Sequence, residues 1–414
     1  MSRKDLRSYQ EALLAMVLCR AREYVKLYQD RLDPVFGRDG KIDFTRWTDI
    51  PVLTKEELIA CGDDKFDNDL PDAQKPFEWS ATSGTTGKPF LAAKTRSSLL
   101  MAACINERLI ALGELDTRKP LATIRYSKDP ELTFPDGKTT RGWSLHAPGA
   151  LSHTLSQETS TDQQIDWLQH RKPAYLTAYP SVAAEIALVM GADARRLGIE
   201  AVLTFGEAVL DDQRMAITEY LGARVVDAYS AQETGYIALQ CPVSGDYHTV
   251  SGAVHLEIAD QDGKLVPAGT EGDILITPFH NAVMPLIRYR IGDRGVMAAG
   301  RCGCGRTSPR LRTIGGRSRD MFHYADGSHR FANIAMSDLQ AAVPLLQYQL
   351  VQHQPTDVEL RYVPDPARTG EPDLEALARI ARRDLHESVV IRVKPVDAIS
   401  RTVSGKFART RRMF

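Results

Sequence analysis

Between Leu121 and Ala228 the chain switches repeatedly between two periodicities, and that alternation constrains the fold more than any other feature. Leu121–Tyr126, Tyr175–Ala178, Ala201–Phe205 and Arg224–Ala228 are short apolar runs that read as buried strands. Ala183–Met190 and Asp211–Leu221, lying between them, carry helical spacing. Strands alternating with helices predict an α/β layer architecture. No period of about 20–50 residues repeats, which excludes solenoids and propellers.

From about His248 the texture changes. Val254–Ala259 and Asp273–Thr277 flank turn chemistry at Asp260-Gln261-Asp262-Gly263 and Pro267–Gly269, predicting a β-meander or distorted barrel. Gly315-Gly316 then interrupts the chain. Beyond it a hairpin from Gln347–Val351 and Val358–Val363, a helix over Asp373–His386 and a strand over Val389–Val396 form a compact unit. The expected organisation is a large N-terminal α/β domain with the meander, residues 1–316, and a small α+β C-terminal lid, residues 317–414. At the other end Leu6, Tyr9, Leu13, Met16, Val17, Arg20, Tyr24, Leu27 and Tyr28 recur near the helical period and predict an amphipathic helix.

Charge and hydropathy remove several function classes. Of the 414 residues, 52 are basic and 53 acidic, so a globally basic nucleic-acid binder is not expected, which leaves only a local basic patch open. No apolar run approaches the roughly 20 residues of a spanning helix. Six cysteines are few for this length, so no disulfide framework is expected and a cytoplasmic location is.

The densest chemistry lies in Thr82-Ser83-Gly84-Thr85-Thr86-Gly87-Lys88-Pro89. Its two glycines let backbone amides turn toward a ligand, its hydroxyls donate, and Lys88 adds a cation. These are the parts of a polyphosphate grip, whereas a generic turn would not need so many donors together. It is not a Walker A loop: Thr82 stands where that motif has glycine, and Pro89 where it has Ser or Thr.

Thr82–Pro89 is similar to the phosphate-binding signature of the adenylate-forming superfamily, whose further motifs follow in order. Phe205-Gly206-Glu207-Ala208 resembles the adenine-side strand and turn, and Asp227–Thr234 the aromatic-to-glutamate motif. Arg288–Asp293 resembles the ribose-binding segment, Gly316–Met321 the hinge, and Ser404-Gly405-Lys406 the terminal lysine loop. Within the superfamily the likeness points to phenylacetate–coenzyme A ligases, through the short length, Pro51–Leu58 after a helical start, and Cys302-Gly303-Cys304-Gly305-Arg306. One departure stands at the hinge, where Arg319 replaces the usual acidic residue and Asp320 follows.

The resemblance implies ATP-dependent activation of an aryl or arylalkyl carboxylic acid to an acyl-adenylate, with pyrophosphate release, then thioester formation with coenzyme A. A carrier-protein pantetheine thiol or an amine is the alternative acceptor. One active site would serve both half-reactions as the small domain rotates. By the same resemblance Ser83, Gly84, Thr85, Thr86, Gly87 and Lys88 hold phosphates, and Glu233 holds Mg²⁺. Tyr229 stacks on adenine, with Gly206, Glu207, Asp227 and Ser230 around the nucleotide. Asp293 accepts from the ribose hydroxyls and Arg317 approaches the ribose. Lys406 is the catalytic cation, while most of its neighbours Arg401, Arg409, Arg411 and Arg412 read as surface charge. Relatives often dimerise, so a homodimer is allowed for; neither nucleic acid nor membrane is expected as a partner.

Two further readings concern a metal and the acid. Cys302 and Cys304 stand in a glycine knuckle, and Cys241-Pro242 precedes His248; three thiolates and one imidazole complete a closed, structural Zn²⁺ site. Similar zinc sites occur among phenylacetate–coenzyme A ligase relatives; the alternative is an unliganded pair with Cys241 and His248 elsewhere. Trp143, His146, Tyr179 and Phe205 are the candidates for the acyl pocket. Competing classes fit less well. A covalent nucleotidyltransferase needs a lysine two residues before Asp-Gly, which Asp39, Asp136, Asp262 and Asp326 all lack. A dead nucleotide-binding module would be expected to have lost Glu233 or Lys406, and both are present.

Overall fold

The computed structural model describes residues 2–67, 69–70, 78–82, 90–317, 321–365, 370–402 and 405–414, with 80–82, 90 and 317 described by backbone alone. The chain divides into two compact units, neither continuous in sequence. One comprises Met1–Thr117, Ser144–Pro148 and Val226–Gly315; the other comprises Arg118–Trp143, Gly149–Val225 and Gly316–Phe414. The break at Gly315/Gly316 lies beside the expected boundary, yet 316–414 shares a unit with 118–225.

The first unit opens with the helix Arg3–Tyr24, started by a Ser2–Asp5 capping box. It buries Leu6, Leu14, Leu18 and Ala21. The expected stripe is thereby corrected: Tyr9 is 45% and Met16 70% exposed. A second capping box, Thr54 with Glu57, starts the helix Lys55–Ala60. Val25, Tyr28, Ile50, Leu53 and Leu58 pack with Ile274, Ile276, Met284 and Ile287 in one core. The Tyr28 hydroxyl ties that packing together, donating to Pro285 O at 2.7 Å and accepting from Ile287 N at 3.2 Å.

The meander is real. Its hydrogen-bonded strand order is Val254–Ala259, Glu271–Pro278, Tyr289–Met297, Arg310–Arg317, Tyr247–Thr249, Gly235–Gln240, Arg224–Ala231. The first two strands form an antiparallel hairpin with Ala259 opposite Asp273. Gly272 permits it, because a Cβ there would fall 2.4 Å from Ala259 O.

In the second unit Leu151–Ser156, Leu121–Arg125, Tyr175–Ala178 and Ala201–Thr204 run parallel, with Lys138–Arg141 as an antiparallel edge. Ala201–Thr204 is buried on both faces, as a helix-covered parallel strand should be. The helices Thr161–Arg171 and Pro180–Met190 contribute Trp167, Leu168, Val182 and Ile186 to its core. The expected helix over 211–221 is α-helical only at Asp211–Ala216 and then widens to a π turn, Ile217–Leu221, ended by Gly222 at φ 69°. The C-terminal part has its own sheet, ordered Val390–Pro395, Asp357–Pro364, Leu345–Gln354, Thr410–Arg412, and its own core around Leu339, Tyr348, Leu360 and Leu377. Among the described residues no helix is long and apolar enough to cross a membrane.

Candidate active site and metal centre

In the first unit, the strand Arg224–Ala231 carries Asp227, Tyr229 and Ser230, and a bulge lies between Tyr229 and Ser230. The Tyr229 hydroxyl donates to Asp293 Oδ2 at 2.7 Å, so the expected adenine and ribose residues adjoin. Asp227 is buried and accepts from the Tyr247 hydroxyl at 2.5 Å.

Glu233 follows in the turn before Gly235–Gln240 and faces an open cavity of about 590 Å³. Leu99, Ala102 and Ile105 of the helix Arg96–Leu112 line that cavity's apolar wall, and Lys94, His280 and Asn281 its polar side. Asn281 Nδ2 donates to Ala93 O at 2.8 Å, whereas its Oδ1 and Thr234 Oγ1 are buried without a partner among the described residues. No motif pointed to Asn281 or this helix.

In the second unit the strand Ala201–Thr204 leads into Phe205-Gly206-Glu207. Gly206 adopts φ 74°, and a Cβ there would fall 2.8 Å from the Tyr179 ring and 3.6 Å from Lys406 Cε. Only glycine meets both demands. Tyr179 packs on Phe205 with ring centroids 4.9 Å apart. Two of the expected acyl-pocket residues therefore stand beside Gly206 and Lys406. Burial pushes the Tyr179 phenol up to about 12, with the Glu207 charge adding to it.

Lys406 rides on a tight turn. Thr402 N donates to Lys406 O and Gly405 N to Thr402 O, both at 2.8 Å, and Lys406 N donates to Thr402 Oγ1 at 3.1 Å. Gln157 Nε2 donates to Gly405 O at 2.7 Å. Phe407 N donates to Glu207 Oε1 at 2.5 Å, and Ser181 N to Oε2 at 3.3 Å. Burial raises the Glu207 carboxyl above the ordinary range, against those amides and Arg401. The reading of the neighbouring arginines as surface charge is corrected for two of them. Arg409 binds Asp212 through both nitrogens at 2.9 and 2.8 Å and is only 10% exposed. Arg401 reaches Ser181 Oγ at 2.7 Å and Glu185 Oε2 at 2.8 Å.

The four expected metal ligands converge. Cys241 follows the strand Gly235–Gln240, His248 sits in Tyr247–Thr249, and Cys302 and Cys304 lie between Tyr289–Met297 and Arg310–Arg317. Their donor atoms all lie within 4.8 Å of one another. Cys241 and Cys302 Sγ are 3.8 Å apart, and His248 Nε2 is 3.2 Å from Cys304 Sγ. Tetrahedral zinc with sulfur at about 2.3 Å sets neighbouring sulfurs roughly 3.8 Å apart. His248 Nδ1 is engaged by Ser308 Oγ at 3.0 Å, which turns Nε2 toward the thiols. A Ser244 hydroxyl and the Cys304 amide pull the Cys302 thiol down to about 5. The donor set is soft and closed, so these residues fit a structural metal.

The remaining candidates are placed less tellingly. Ser83, Gly84, Thr85, Thr86, Gly87 and Lys88 lie outside the described residues, as do Ser318, Arg319 and Asp320 of the hinge. The strands flanking the loop pair antiparallel from Glu78–Lys94 to Thr82–Phe90. Arg317 ends its strand, its side chain undescribed. Trp143 is half-buried, donates to Lys119 O at 2.9 Å and packs edge-on to Tyr175. His146 is 78% exposed, 3.7 Å from Glu107.

No family model matches the chain. Over 343 residues it is 27% identical to the phenylacetate–coenzyme A ligase of Thermus thermophilus, spanning 77% of this chain and 72% of that protein. Over 332 residues it is 26% identical to the phenylacetate–coenzyme A ligase of Escherichia coli, with the same shares. Among solved structures it superposes on 2-hydroxyisobutyryl-CoA ligase in the postadenylation state with a TM-score of 0.79. That match has 20% identity and covers 99% of this chain and 90% of the other. In sequence, then, the chain is similar to phenylacetate–coenzyme A ligases, and in fold it is similar to a coenzyme A ligase caught after adenylation.

Proposed function

We propose that this chain is an acid–thiol ligase that activates a small carboxylic acid, aryl or arylalkyl, with ATP. The carboxylate oxygen attacks the α-phosphorus, the bond to pyrophosphate breaks, and an acyl-adenylate forms. The thiol of coenzyme A then takes the acyl group, releasing AMP. The observation that carries this reading is the lysine turn, which sets Lys406 beside Gly206-Glu207 and the Tyr179–Phe205 pair. A lysine there offsets the repulsion between two anions as they approach. The kinship with phenylacetate–coenzyme A ligases supports the acid class and the thiol acceptor.

Individual roles follow in the same reading. Ser83, Gly84, Thr85, Thr86, Gly87 and Lys88 grip phosphates, Tyr229 stacks on adenine with Asp227 and Ser230 on the same strand, and Gly206 and Glu207 contribute to nucleotide binding. Asp293, already a hydrogen-bond acceptor from Tyr229, takes the ribose hydroxyls, with Arg317 as a second ribose contact. Glu233, half-buried at a cavity edge, fits a hard cation that keeps most of its waters, and would hold Mg²⁺ to neutralise triphosphate charge. Cys241, His248, Cys302 and Cys304 would hold Zn²⁺ as a structural clip. Tyr179 and Phe205 line the acyl side, with Trp143 and His146 as outlying candidates. Residues 317–414 act as the small mobile domain; a homodimer and a cytoplasmic setting complete the reading.

A panel of carboxylic acids scored for pyrophosphate release, with and without coenzyme A, tests it. Acid-dependent release that yields a coenzyme A thioester supports the ligase; release followed by transfer only to another thiol or to an amine moves the acceptor. Lys406→Ala should abolish exchange of labelled pyrophosphate into ATP by orders of magnitude while ATP still binds. Near-normal exchange in that variant removes the role of Lys406.

A further inference from the structure

Two acid–arginine pairs bracket the lysine turn. Arg401 precedes Lys406 and docks on Ser181 and Glu185 of the helix Pro180–Met190. Arg409 follows Lys406 and grips Asp212 of the helix Asp211–Ala216 with both terminal nitrogens. The Asp212 and Arg409 side chains are 16% and 10% exposed, so water screens their pairing little. Arg409 also lies over the Tyr348 ring at 4.5 Å.

The C-terminal strand has fastenings besides these pairs. Thr410, Arg411 and Arg412 pair in parallel with Leu350, Val351 and Gln352, and Gln349 Nε2 donates to Ala408 O at 2.7 Å. What the pairs add is attachment of the turn to the 180–212 stretch. A lysine stem is flexible, so its ammonium is placed only as well as the backbone beneath it. Displacing a reacting group by about 1 Å can cost roughly 10²-fold in rate.

We propose that Asp212 and Glu185, acting through Arg409 and Arg401, are positioning residues for Lys406. They hold its turn where the ammonium serves adenylate formation, and they contribute nothing to ATP affinity. This rests on the role given to Lys406 above. A merely structural contribution would lower rate and binding together, and would do so whether or not Lys406 is present. A positioning contribution disappears once the positioned group is gone.

The test measures single-turnover acyl-adenylate formation by mass detection, with an acid from the panel, in Asp212→Asn and Glu185→Gln. Each substitution is made in the wild-type and in the Lys406→Ala background. We expect at least a ten-fold loss for Asp212→Asn and at least a three-fold loss for Glu185→Gln. Each variant's ATP dissociation constant should stay within two-fold of the parent, and neither should cost more than two-fold when Lys406 is alanine. Amide hydrogen exchange over residues 402–409 should quicken in both variants. Equal losses in the two backgrounds, ATP affinity falling in step with rate, or no loss at all would overturn the clamp while leaving the ligase reading intact. A wild-type chain that makes no adenylate from any acid would overturn both.

Discussion

Replacing Arg288 with methionine tests how the N-terminal helical segment is fastened to the meander. The residue is 1% exposed. Its guanidinium donates to Glu257 Oε1 at 3.2 Å, to Thr48 O at 3.0 Å, to Ile50 O at 2.6 Å and to Gly263 O at 2.5 Å. Methionine copies the aliphatic stem and none of the donors. It also inherits the left-handed backbone, φ 49°, so that strain cancels in the comparison. The Glu257 carboxylate then keeps no cationic partner: its side chain is 3% exposed, and Trp47 remains as a neutral hydrogen-bonding neighbour. Removing one side of such a pair costs about 3–5 kcal/mol.

Protonation limits that loss. Burial already raises the Glu257 carboxyl, with Arg288 the chief opposing influence. Without the arginine, the folded carboxyl binds its proton more tightly than the unfolded one. The folded state then holds more protons, so the variant is most stable at acid pH and loses stability as pH rises through the raised folded value. Urea unfolding near about pH 5 and about pH 8 measures both size and sign. Adding Glu257→Gln removes the stranded charge and should restore about 1–2 kcal/mol at the higher pH. A loss under about 1 kcal/mol, or a double variant no better than the single, refutes the account.

Two further outcomes are expected. Protein purified without added metal should carry about one zinc per chain by elemental mass spectrometry, and chelation or Cys304→Ser should lower both the zinc content and Tm; a metal-free chain with unchanged Tm would refute the clip. His255 is held down to about 4 by burial and then by Arg288, so it stays neutral when folded while the unfolded ring takes up a proton. That contribution is fully present above about pH 6.5 and is lost as pH falls toward about 4, a gap worth roughly 3 kcal/mol. Urea midpoints across that window should fall less steeply in His255→Gln, and an unchanged slope would count against it.

The layers were readable where local signals agreed. Tyr175–Ala178 and Val254–Ala259 fall where apolar runs bounded by turn residues placed them. The first helix was readable as a helix but not in its buried face. Periodicity admits both Met16 and Leu14, and only the partners around Tyr28 and Ile287 choose Leu14. The candidate metal ligands were visible as a glycine-spaced cysteine pair plus a cysteine and a histidine. Their convergence depends on strands that pair Tyr247 with both Gln240 and Leu311. The lysine turn was visible as a motif, whereas Arg401 and Arg409 looked like solvated charge because Glu185 and Asp212 are remote in sequence. The cavity by Glu233 left no trace, since the segments around residues 94–105, 233–236 and 278–281 meet only after folding.

The interleaving of the two units bears on how the chain acquires its shape during synthesis. Tyr28 waits for Pro285 and Ile287, the latter 259 positions downstream. At about 5–20 residues per second that delay is roughly 13–50 seconds. Until then Val25, Ile50, Leu53 and Leu58 lack the Met284–Ile287 part of their core. A nascent polypeptide of this design cannot mature front to back, and its first hundred residues make a ready client for chaperones that shield greasy segments emerging from the ribosome.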